Sequence, residues 1–237
     1  MSHSKLIVAL DVQTLQDAKT WVEKLSPKVT LFKVGSILFT AAGPQVIDMI
    51  HEKKGEVFLD LKFHDIPNTV AGACRAATRL GVFMLNLHIV GGERVLRESV
   101  AAVTAEVSQR KLRKPFLLGV TLLTHLDREA LHGLGWDLPG AMEEEVVHLA
   151  RIASDSGLDG VVCAPPEIRP IRQALRKEFL IVTPGIRPLG TPLHDQTRVS
   201  EPKEAMKAGA DYLVVGRPIL ESQNPLEMVD LILQELQ

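Results

Sequence analysis

Charged residues in this chain fall where strands should end. The segment VFLDLKFHDIP carries Asp60 and Lys62 two residues apart, with Asp65 three residues further on. Two other apolar runs close on charge: VALDV with Asp11, and LFKVG with Lys33. Residues two apart on a strand share a face. If Leu59 and Leu61 pack outward, Asp60 and Lys62 therefore point into the mouth of whatever the strands enclose. Asp11, Lys33, Asp60, Lys62 and Asp65 then form an alternating array of two cations and three anions. Removing a charge from water costs several kcal/mol unless it is paired. The array reads either as a structural ion-pair network or as machinery for a charged substrate, and four inward charges on three consecutive strands favour the second. Asp65 alone also reads as a helix cap, because Pro67 follows it just inside a helical pattern.

A second group of residues suits an anion. The runs TPGIRPLGTPLHDQTRV and VVGRPI follow the seventh and eighth strand candidates. There Gly185 and Gly216 permit close backbone approach, and Arg187 and Arg217 can grip a phosphate with paired hydrogen bonds. His64 and His88 lack the HxH or HExxH spacing of metal ligands and read as structural histidines. Of Thr121 and Thr124, at the end of the fifth strand candidate, Thr124 lies nearer the expected loop and is the better polar contact.

These groups need a frame that gathers strand ends. Short β-rich apolar runs at 6–12, 29–35, 56–62, 84–89, 116–122, 160–164, 180–184 and 212–216 predict eight strands, most of them apolar enough to be buried on both faces. Helical patterns lie between them at 15–25, 45–54, 68–80, 94–110, 143–156, 167–177 and 226–236. The alternation predicts a single-domain (β/α)8 TIM barrel over residues 1–237, with an open doubly wound sheet as the alternative. In a barrel the C-terminal strand ends carry the chemistry, and the loops after the last two strands commonly hold phosphate. Two segments, 126–140 and 187–199, exceed the usual loop length, which in a compact domain points to function.

Bulk composition narrows the partners. With 27 basic and 29 acidic residues the net charge is −2, which gives no electrostatic reason to expect nucleic acid or an anionic membrane. Cys74 and Cys163 are far apart, so neither a disulfide framework nor a zinc site is expected. No apolar run approaches the roughly 18 residues of a membrane span. The start, MSHSKLIVALDV, lacks the long apolar core of a signal peptide. A soluble cytoplasmic protein is the expectation.

The segment DLKFHDIPNTV, residues 60–70, closely resembles the signature of the orotidine 5′-phosphate decarboxylases. The similarity continues over essentially the whole chain, through ALDV, FKVG, GVTLLT, TPGIRP, DQTRV and VVGRPI in order. DxKxxD by itself is shared with phosphosugar relatives of the same suprafamily. Together with IPNT, GIRP and DQTR it is specific to this family and looks like the bacterial form. The resemblance implies conversion of orotidine 5′-phosphate to uridine 5′-phosphate and carbon dioxide, the last step of pyrimidine nucleotide synthesis, with no cofactor and no metal. It implies that Lys62 is the proton donor, flanked by Lys33, Asp60 and Asp65. Asp11 and Lys33 would hold the ribose hydroxyls, and Thr124 the pyrimidine ring. Gln196, Arg217 and the Gly216 backbone would hold the phosphate, with Arg187 in the adjoining lid and Ile66 and Pro184 among the substrate contacts. The family pattern further implies an obligatory homodimer in which Asp65 and Thr69 reach into the neighbouring subunit's site. Two other readings stay open: a metal-dependent phosphosugar enzyme on the same frame, and a nucleotide-binding barrel without catalysis.

Overall fold

The structure, a computed structural model, describes residues 5–188 and 198–236. The eight apolar runs form β1 (Leu6–Ala9), β2 (Leu31–Gly35), β3 (Glu56–Phe63), β4 (Met84–His88), β5 (Phe116–Val120), β6 (Gly160–Val162), β7 (Leu180–Thr183) and β8 (Tyr212–Val215). Every neighbouring pair is parallel, and β8 returns to β1 through Ile7 and Val214, so the sheet closes in the order β1 to β8. That closure decides between the two α/β architectures that alternation alone leaves open.

Strand parity sorts the apolar side chains into two layers. Ile7, Phe58, Met84, Leu118, Val182 and Val214 belong to a cluster drawn from the barrel interior. Their neighbours Val8, Leu59, Leu85, Leu117, Ile181 and Leu213 pack with helix residues in a second, larger cluster. The interior is therefore a packed plug, as in barrels of this strand number, and only the strand ends above it offer space for polar groups.

Helix Leu15–Leu25 shows why the outer layer forms. Thr14 caps it by accepting from the Asp17 N–H at 3.0 Å, and Ala18, Val22 and Leu25 recur on one face and are buried. The expected helices appear as Gln45–Glu52, Pro67–Arg79, Glu93–Arg110, Met142–Asp155 and Pro225–Glu235, with ends shifted by a few residues. The pattern at 167–177 shrinks to Ile168–Ala174, preceded by a 3-10 turn at Pro165–Glu167. Four further helices, Ser36–Ala42, Arg128–Gly133, Pro202–Ala208 and Arg217–Leu220, were not expected. Each has seven residues or fewer, too few to display a helical period. Among the described residues no helix is long and apolar enough to cross a membrane.

The capping role expected of Asp65 is corrected. Ile66 occupies the cap position with extended backbone (φ −60°, ψ 154°) and makes no side-chain cap bond. A residue before proline is driven out of the helical region, so the helix begins at Pro67 and Asp65 lies one position too early. Its carboxylate instead accepts from the N–H of Ile66 at 2.6 Å.

Candidate active site

The site is built around a break in β3. Phe58 and Asp60 point inward as simple alternation requires, but the pairing with β4 slips between Leu59 and Phe63. Within that slip Lys62 adopts φ 51°, in the left-handed region. A non-glycine residue held there costs about 1–3 kcal/mol and persists only where its surroundings over-determine it. Here the N–H of Lys62 donates to the Asn86 side-chain oxygen at 2.8 Å, and its Nζ reaches Asp60 Oδ1 at 2.7 Å. Asn86, fully buried on β4, donates its Nδ2 to the same Asp60 oxygen at 2.7 Å.

From Asp60 the chain of charge continues across β2 to the end of β1. Lys33 Nζ lies 3.4 Å from Asp60 Oδ2 and 3.0 Å from Asp11 Oδ1. A Cβ at Gly35 would stand 3.0 Å from that ammonium, so any side chain there would press the Lys33 Nζ out of its place by a few tenths of an ångström. Burial acts to lower the Lys33 ammonium, but Asp60 and Asp11 outweigh it and hold its pKa above the usual lysine range. Burial likewise acts to raise Asp60. Lys33 and Lys62, with the hydrogen bonds from Lys62 and Asn86, prevail and hold the Asp60 carboxyl below its usual range. Both groups therefore stay ionised at neutral pH.

Within one chain the array is four charges rather than five. Asp11, Lys33, Asp60 and Lys62 line one wall of a cavity of about 220 Å³ at the C-terminal end of the barrel. Asp65 does not line it, and neither do Ile66 and Thr69; all three are solvent-exposed. The cavity is completed by Thr124 after β5, Pro184, Gly185 and Arg187 after β7, and Gly216 and Arg217 after β8, the strand that pairs with β1. Ala9, Phe58, Val120, Val162 and Val214 supply the apolar lining beneath. Gly185 sits at φ 82°, a turn that brings the backbone after β7 over the cavity. The Arg187 N–H donates to the Ser200 carbonyl at 2.9 Å and ties the two ends of the intervening segment together. Gln196 lies outside the described residues.

Thr121, the less favoured of the two threonines, is buried and donates its hydroxyl to the Val162 carbonyl at 3.1 Å. The His64 and His88 rings lie 5.2 Å apart near the array. Burial, then His64 and Lys62, push His88 down to about 4. Among the described residues no group of three or more His, Cys, Asp and Glu side chains is placed to hold a metal ion. Cys74 and Cys163 are both buried and free.

Sequence reasoning missed Asn86 and the buried pair Arg198–Glu167. The signal for Asn86 was present: an amide at an inward position in the otherwise apolar run MLNL. Arg198 and Glu167 gave no such signal, because an arginine and a glutamate 31 residues apart carry no shared spacing.

Comparison with known proteins gives the family. Residues 4–232 match the model of the orotidine 5′-phosphate decarboxylase / HUMPS family. The chain is 50% identical over 235 residues to the orotidine 5′-phosphate decarboxylase of Trichlorobacter lovleyi, covering 99% of this chain and 96% of that one. It is also 50% identical to that of Moorella thermoacetica, covering 100% and 93%. Among solved structures, the orotidine 5′-phosphate decarboxylase from Lactobacillus acidophilus superposes with a TM-score of 0.86 at 34% identity, over 98% of each chain. The family match spans nearly the whole chain and the fold agrees with it, so the chain belongs to the orotidine 5′-phosphate decarboxylase / HUMPS family.

Proposed function

We propose that this chain is a carboxy-lyase that converts orotidine 5′-phosphate to uridine 5′-phosphate and carbon dioxide, with Lys62 as proton donor. The observation that carries the reading is the Asp11–Lys33–Asp60–Lys62 chain lining one cavity together with Arg187 and Arg217. A nucleotide fits that polarity, with its phosphate against Gly216 and Arg217, its ribose hydroxyls against Asp11 and Lys33, and its ring near Thr124 and Pro184. Gln196, Ile66 and Arg187 complete the substrate contacts in this reading.

The chemistry follows from the charges. Breaking the bond between the ring and the carboxylate leaves an electron pair on a ring carbon. The Lys62 ammonium, already near that position, stabilises the developing negative charge and then transfers its proton, forming the new C–H bond. Asp60, held ionised by its cations, repels the substrate carboxylate more than it repels the transition state, in which that charge has moved into the ring. Binding energy from the distant phosphate holds the reacting end in this unfavourable pocket.

The same reading makes the active unit a homodimer with shared sites, Asp65 and Thr69 serving the neighbouring subunit. Two observations support it. Asp65 and Thr69 stand outside their own chain's cavity. Ile37, Ile66 and Val90, at 63%, 67% and 40% exposure, form an apolar set following β2, β3 and β4, where a second copy would cover them.

The test is the ultraviolet absorbance of purified protein mixed with orotidine 5′-phosphate in the presence of a chelator. Loss of the orotate chromophore is expected. An unchanged spectrum overturns the reading, and turnover of a keto-sugar phosphate that the chelator abolishes identifies the metal-dependent alternative.

A further inference from the structure

Asn86 does not line the cavity, yet it holds Lys62 at both ends. Its Oδ1 accepts from the Lys62 N–H at 2.8 Å. Its Nδ2 donates at 2.7 Å to Asp60 Oδ1, the same oxygen that the Lys62 Nζ reaches at 2.7 Å. One amide therefore fixes the backbone from which the Lys62 side chain springs and the carboxylate on which its tip rests. Only one orientation of that amide works, because an N–H needs an acceptor and a carboxylate needs a donor. Packing does not explain an amide here. Asn86 follows Met84 on the inward face of β4 and pairs in register with Leu118, and both neighbours belong to the apolar interior cluster. A hydrophobic side chain would continue that cluster without the cost of burying a polar group. Lys62 for its part is long, its side chain is 36% exposed, and its φ of 51° is one that a free lysine rarely adopts. Without its acceptor on β4 nothing in the slip of β3 favours that conformation.

We propose that Asn86 is a positioning residue for the decarboxylation, holding the Lys62 ammonium at the point from which it meets the developing carbanion and delivers its proton. This rests on the functional reading above. Asn86 touches no substrate and acts only through Lys62 and Asp60. Its loss should therefore lower turnover at sites that still bind nucleotide normally, since a displacement of about 1 Å at the reacting groups costs on the order of 10²-fold. A merely structural asparagine would change the number of folded sites and leave turnover per site untouched.

The experiment follows orotidine 5′-phosphate by absorbance in the full-length protein and counts competent sites by calorimetric titration with uridine 5′-phosphate. In Asn86→Ala, kcat per competent site is expected to fall about 10²-fold, with KM and the affinity for uridine 5′-phosphate within about threefold. Asn86→Asp supplies a second reading. Its neutral carboxyl offers the amide's own pattern, a C=O for the Lys62 N–H and an O–H for Asp60, whereas its ionised form sets two carboxylates against each other. Turnover of this variant relative to the unmodified protein is therefore expected to rise about tenfold or more as pH falls from about 8 to about 5. Asp60, Lys62, Lys33, Asp11 and the nearby His64 and His88 face this position in both proteins, so the ratio isolates the new carboxyl. A kcat per site within about threefold in Asn86→Ala, or a flat ratio in Asn86→Asp, overturns the proposal. If thermal melting shows that Asn86→Ala does not fold, Asn86→Asp alone is read. Failure of both to fold makes Asn86 a determinant of the fold and also overturns the proposal. Unmodified protein that leaves orotidine 5′-phosphate untouched sinks the functional reading and this one together. Active unmodified protein with undiminished turnover in Asn86→Ala sinks this one alone.

Discussion

On the β1–β4 side of the barrel mouth the polar groups stand on strands or within two residues of them; on the β5–β8 side Thr124 and Arg187 stand four residues beyond their strands, and Arg217 opens the short helix after β8. Lys33, Asp60, Lys62 and Asn86 are strand residues, locked by contacts of 2.7–3.4 Å to one another. Arg187 and Arg217 follow their strands, and Thr124 stands four residues beyond Val120, positioned through backbone bonds from Arg198. The division suits the two tasks proposed for these groups. Proton transfer to carbon tolerates little misplacement, and strands fix position better than loops. Recognition of a phosphate tolerates more, because several donors share the work, and a loop can carry them.

If the strand side does chemistry and the loop side does binding, variants should separate along that line. The largest effect belongs to Lys62→Ala, which should lower turnover by more than about 10³-fold, some 4 kcal/mol of barrier. Affinity for uridine 5′-phosphate should stay within about tenfold. Turnover within about tenfold of the parent would remove Lys62 from the chemical step.

Next comes the test of sharing between subunits. Lys62→Ala and Asp65→Ala chains, each inactive alone, should regain about a quarter of full activity when mixed. Half of the randomly exchanged dimers are mixed, and one of the two sites in each is intact. A tag on one chain verifies the exchange. If tagged mixed dimers form and activity does not return, Asp65 acts within its own chain.

On the loop side, Arg217→Ala should weaken uridine 5′-phosphate binding roughly 10- to 150-fold, the equivalent of about 1.5–3 kcal/mol for a charge-assisted contact. Binding of uridine, which lacks the phosphate, should hardly change. Equal losses for both ligands would assign Arg217 to the fold and erase the contrast between the sides.

Asn86→Ala tests how the strand side is held. It strips a partner from Asp60 and leaves the Lys62 N–H without its acceptor. A stability loss of about 1–3 kcal/mol is expected, read from urea unfolding midpoints. An unchanged midpoint would mean that β3 keeps its slip without Asn86.

The smallest effect concerns His88. Its pKa is pushed down to about 4, so below about pH 6.5 the unfolded chain takes up the proton before the folded one does. Stability should therefore fall as pH drops from about 6.5 to about 4, and His88→Gln should flatten that limb. An identical pH profile in the variant would show that His88 is not responsible. The array itself works in the opposite sense for each of its ions. Asp60, held low, contributes stability that is present above its unfolded pKa and lost as pH falls through its folded one. Lys33, held high, contributes stability that is present below its unfolded pKa and lost as pH rises through its folded one.

The sequence by itself determined the eight apolar runs and their alternation with helices, because parallel strands buried on both faces must be apolar along their length. It also marked which strands end in charge and which loops suit an anion, since those are properties of residue type and position along the chain. Parity on β3 placed Asp60 and Lys62 on a common face, and the cavity collects both with Asp11, Lys33, Arg187 and Arg217. What only the tertiary structure decided are the relations between strands. Closure of β8 onto β1 depends on pairing across 200 residues and leaves no local mark. The left-handed Lys62 exists because Asn86, on another strand, accepts its N–H where the β3–β4 register slips. Asp65 stands exposed outside its own cavity, just ahead of the helix that Pro67 opens. Arg198 meets Glu167 only because three loops converge at one end of the barrel. Local pattern fixes what each segment can be, whereas partners distant in the chain meet only once the barrel has closed.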